Sequence, residues 1–68
     1  MNEIIIFSDG VEWKAWFKGP HAERIRSLFG TDVLPTSYTA RADSEVVLNR
    51  VRHLNPGVVV HLAELVSA

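Results

Sequence analysis

The chain has 68 residues, 47% of them apolar, with seven Lys and Arg against eight Asp and Glu and no cysteine. That length holds one domain spanning residues 1–68; the apolar share excludes general disorder; the lack of cysteine excludes disulfides and thiolate metal sites. A net charge of −1 gives the chain as a whole no electrostatic pull toward nucleic acid or an anionic membrane.

The opening "MNEIIIFSDG" has no basic segment, and its apolar run is far shorter than a signal peptide or the ~20 residues of a membrane span. The expectation is a cytoplasmic protein with no membrane association. Two β-rich runs, "EIIIF" and "VEWKAWF", flank Asp9-Gly10, a strong two-residue hairpin turn. With those two residues as the loop, Ser8 faces Val11, Phe7 faces Glu12, Ile6 faces Trp13, Ile5 faces Lys14 and Ile4 faces Ala15. One face then carries Ile4, Ile6, Val11, Trp13, Ala15 and Phe17 and reads as the core face. The other carries Ile5, Phe7 and Trp16 among Glu3, Glu12 and Lys14.

"GPHAERIRSLFG" predicts a short helix, with Pro20 at its first position and Gly30 just past its end. Its apolar stripe is Ala22, Ile25, Leu28 and Phe29. "GTDVLPTSYTARAD" follows and has neither a strand nor a helix pattern. Leu34-Pro35 imposes an extended backbone, and the Thr, Ser and Asp side chains bond local backbone. Residues 31–42 therefore read as a rigid extended connection. A connection this long also qualifies as a binding loop, with Leu34, Pro35, Tyr38 and Arg41 as its candidate residues. A second helix begins at the N-cap Asp43 and stops at Asn55-Pro56-Gly57, with Val47, Leu48, Val51 and Leu54 as the buried stripe. "VVVHL" completes the pattern as a strand.

The order ββααβ predicts a two-layer α+β domain: a three-stranded sheet with an N-terminal hairpin and two helices on one face. The unbroken apolar first strand takes a central place, with the last strand beside it and parallel to it.

Chemistry is sparse. His21, His53 and His61 show no metal-ligand spacing. No serine sits in a nucleophile elbow, and no glycine-rich phosphate loop is present. The sequence thus points away from an enzyme and calls for no cofactor or metal. Arg24, Arg26, Arg50 and Arg52 on the helices, with Arg41 and a stacking Tyr38, supply the alternative of a nucleic-acid-associated protein. Residues two apart on a helix do not share a face, however, and Glu23 and Glu45 dilute the field.

The second hairpin face carries more. In a two-layer domain Ile5, Phe7 and Trp16, joined by Val59 and His61, have no layer of helices to cover them unless Leu65 and Val66 of the tail fold back. Exposed apolar patches with a polar rim mark protein contacts. The leading expectation is a small non-enzymatic interaction module working through this face. It would act as a homodimer, an accessory subunit, or a phage-type inhibitor of a larger partner.

Overall fold

A computed structural model describes residues 1–63. The chain forms β1 (Glu3–Ser8), β2 (Glu12–Lys18), α1 (Pro20–Phe29), β3 (Val33–Thr39), α2 (Ser44–Leu54) and β4 (Val59–Leu62). The sheet has four strands in the order β3-β2-β1-β4. β1 is central with β4 beside it, as its apolar run predicts; that pair is parallel, and the other two pairings are antiparallel. The architecture is α+β, with two helices packed on a mixed sheet.

The expected three-stranded sheet is corrected by β3, and the order becomes ββαβαβ. The segment read as a connection is an edge strand. Pro35 belongs there because its missing N–H falls on the outer side of the sheet, where no ladder partner waits. Ser37 adopts φ 71°, and the ladder bulges between Glu12 and Lys14. The Thr36 hydroxyl donates to the Trp13 carbonyl at 2.8 Å, satisfying an acceptor in the bulged stretch.

The hairpin register also differs from the expected one. Ser8 faces Trp13, Phe7 faces Lys14, Ile6 faces Ala15, Ile5 faces Trp16 and Ile4 faces Phe17. The tip is Gly10-Val11 rather than Asp9-Gly10. The Asp9 carboxylate is the cause: its Oδ1 accepts from the Val11 and Glu12 N–H groups, each at 2.8 Å. The Asp9 N–H donates to the Glu12 carbonyl at 3.1 Å, and the Lys14 ammonium lies 3.0 Å from Oδ2. Every pairing therefore moves by two residues, which preserves the two faces. Val11 alone changes fate: it sits at the turn, 76% exposed.

Those bonds hold the Asp9 carboxyl down from its ordinary 3.8 to about 2, first through Glu12 and Val11 and then through Lys14. A depressed carboxylate stabilises the fold above its unfolded value, and the gain disappears as pH falls through the folded one. Wild-type stability is thus expected to drop between about pH 4 and pH 2. Asp9→Asn, followed by thermal melts over an acid series, should flatten that drop; an unchanged slope would remove Asp9 from the account.

The core is one cluster: Ile4, Ile6, Ala15, Phe17, Ala22, Ile25, Val47, Val51 and Val60. α1 lies over β2, whereas α2 lies over β4 and reaches β3. Asp43 caps α2 by accepting from the Glu45 N–H at 3.0 Å, as expected. Gly30 ends α1 in the left-handed conformation. Asn2 supplies an unforeseen cap: its side-chain oxygen accepts from the His21 N–H at 2.8 Å. Three expected core residues, Leu28, Phe29 and Leu54, are exposed. They sit at the C-terminal ends of their helices, whose buried contacts come from Ala22 and Ile25 in α1 and Val47 and Val51 in α2.

Candidate functional site

Strand alternation sorts the sheet into two faces. Ile4, Ile6, Ala15, Phe17 and Val60 turn to the helices and are buried. On the opposite face, the pairings place Val33, Trp16, Ile5 and His61 in one row across all four strands. Pro35, Lys14 and Phe7 form the next row, and Lys18, Glu3 and Val59 the one on the other side.

The centre of this face is a shallow apolar concavity of about 540 Å³ lined by Ile5, Phe7, Trp16, His61, Leu62 and Ala63. Trp16 remains 39% exposed, although it is the largest side chain present. Charged groups ring it. The Lys18 ammonium lies 5.1 Å from the Trp16 ring centre, within cation–π range. His61 Nε2 is 3.7 Å from the Glu3 carboxylate, and Lys14 is held by Asp9. Both signs are present, so the rim steers orientation rather than selecting a strongly charged ligand.

All five residues expected on the open face, Ile5, Phe7, Trp16, Val59 and His61, lie on this one surface. Val33 continues the central row on β3, and Ala63, with Leu62 from the edge of β4, closes one side of the concavity. Val33 is absent from the expected set because Pro35 masks the strand; the signal for it is the β-forming run of Val33, Thr36, Tyr38 and Thr39. Leu65 and Val66, considered as a cover for the face, lie outside the described residues.

The candidate loop residues do not share a surface. Leu34 and Tyr38 pack against the core cluster, while Pro35 and Arg41 are exposed. Trp13, beside them, donates from Nε1 to the Ala42 carbonyl at 3.1 Å and pins the chain that leaves β3. The arginines are spread over two helices resting on different strands. Arg26 is held 3.2 Å from Asp32 and keeps that carboxyl below its usual range; Arg24, Arg50 and Arg52 are exposed.

Among the described residues no three His, Asp or Glu side chains converge as metal ligands would, and no helix is long and apolar enough to cross a membrane. No protein-family model, no curated protein and no solved structure matches this chain.

Proposed function

We propose that this protein is a non-enzymatic interaction module that docks on a larger protein partner through the open face of its sheet. The observation that carries the reading is the apolar concavity around Trp16 on the face the helices leave bare. Its make-up supports a protein occupant: an exposed Trp flanked by Phe7 and Ile5, inside a rim of Glu3, Lys14 and Lys18. Interfaces concentrate their binding energy in such aromatic centres and surround them with polar groups. Tyr38 is half-buried against the core, which leaves less of its ring to stack on a base and favours this reading over nucleic-acid binding. The module works in the cytoplasm as an accessory subunit or as an inhibitor of the kind phages direct at host machinery.

The test is affinity capture from the source cell with three proteins: wild type, Phe7→Glu, and a combined Arg24→Ala, Arg50→Ala, Arg52→Ala variant. A protein partner is expected to be retained by the wild type and by the arginine variant. Phe7→Glu is expected to lose it with an unchanged far-ultraviolet spectrum. Tight nucleic-acid binding at physiological salt, lost in the arginine variant, would replace the proposal with the nucleic-acid reading.

A further inference from the structure

We propose that the outer edge of β4 is the contact surface for a second copy of this chain, paired antiparallel about a two-fold axis at His61. The sheet ends in two edges, and they differ. Along β3 the outer row is interrupted by Pro35, by Ser37 at φ 71° and by the bulge opposite Glu12–Lys14. Each of these devices discourages the addition of another strand. β4 reads Val-Val-His-Leu and has none of them: no proline, no bulge, no lysine and no carboxylate.

The hydrogen-bonding sense of β4 is fixed by its inner side. The Ala63 N–H donates to the Ile6 carbonyl at 2.9 Å, continuing the parallel ladder in which Ile6 faces Leu62. Backbone groups alternate in direction along a strand, so Val59, His61 and Ala63 turn theirs toward β1. Val60 and Leu62 present theirs outward. Among the described residues no strand lies beyond them.

Two outward residues spaced two apart are complementary to themselves under a two-fold axis. Val60 of one copy meets Leu62 of the other, and the reverse, giving about four backbone hydrogen bonds. Both residues have the same pleat parity, so the two sheets join into one with their open faces on the same side. His61 then sits beside its counterpart at a non-hydrogen-bonded position, with Cα atoms ~4.5 Å apart. Val59 meets Ala63, apolar against apolar, and no carboxylate or lysine of β4 is opposed to its like. The same residues supply both halves of every contact, which favours a second copy over an unrelated strand. A ribbon this short buries less than the ~1,600 Å² of a standard interface, so the dimer is reversible and concentration-dependent. The pairing goes beyond the docking reading: it sets two concavities on one continuous surface, able to engage a partner bivalently.

Because the chain has no cysteine, single thiols report the contact cleanly. Under mild oxidation His61→Cys is expected to form a covalent dimer, since ~4.5 Å between Cα atoms falls within disulfide range. Ser37→Cys on the opposite edge is expected to stay monomeric at the same concentration. In sedimentation over a concentration series, the wild type should shift from monomer to dimer. Leu62→Pro removes an outward N–H without touching a bond to β1 and should remain monomeric with an unchanged spectrum. The proposal is overturned if the wild type stays monomeric throughout or if Leu62→Pro dimerises like the wild type. Equal cross-linking at the two edges would overturn it too, and that comparison decides the matter if Leu62→Pro fails to fold.

Discussion

Ile6→Ala is expected to cost about 2–5 kcal/mol of folding stability. Ile6 is fully buried at the middle of β1, paired with Ala15 on one side and with Leu62 on the other. Truncation removes methyl groups from a site framed by two ladders, which cannot close over the space left behind. A chain of this length has a total stability of about 3–10 kcal/mol. The loss therefore lowers Tm by roughly 10 °C or more, and at the upper end leaves no folded protein at 37 °C. Thermal and urea melts check it. A cost below about 1 kcal/mol would mean that β1 does not run through the centre of the core.

The second large effect separates the two tryptophans. Trp16→Ala should weaken partner association by about 2 kcal/mol or more, a loss of about 30-fold in affinity. Its effect on Tm should be smaller than that of Trp13→Ala, because Trp16 lies on the face away from the core and is 39% exposed. Trp13 is packed against the core and holds Ala42 through its indole N–H. Truncating it opens a cavity and orphans a carbonyl, at about 3 kcal/mol of stability. Melting and association measured on both variants decide the matter. Unfolding by Trp16→Ala, with Trp13→Ala tolerated, would mean that the faces of β2 are exchanged.

The faces were legible because they depend only on parity. Moving the turn from Asp9-Gly10 to Gly10-Val11 shifts every pairing by two residues, so Ile5, Phe7 and Trp16 stay together. The shift itself was not legible. It depends on one carboxylate taking two backbone N–H groups, a competition between the Asp9 side chain and a backbone-only turn that the dipeptide alone does not settle. β3 was hidden for a different reason. A proline weakens any strand assignment unless its outward direction is known, and direction is a property of the finished sheet. The helix ends were plain in Asp43 and Gly30, whose capping roles are local. The exposure of Leu28, Phe29 and Leu54 was not, because a stripe shows which side of a helix is apolar and not how far the sheet extends beneath it.

The parallel pairing of β1 with β4 also dictates an order of assembly. The hairpin of β1 and β2 is local and closes in about 1–10 μs. The other flank of β1 is supplied by the last strand described, so the ladder from Glu3 to Val59 joins segments separated by both helices and β3. Closing so long a loop is the entropically costly step, and few contacts reward it before α2 has docked. During synthesis, β1 therefore waits half-covered until β4 has left the ribosome. Its three consecutive isoleucines are the stretch most in need of protection in that interval.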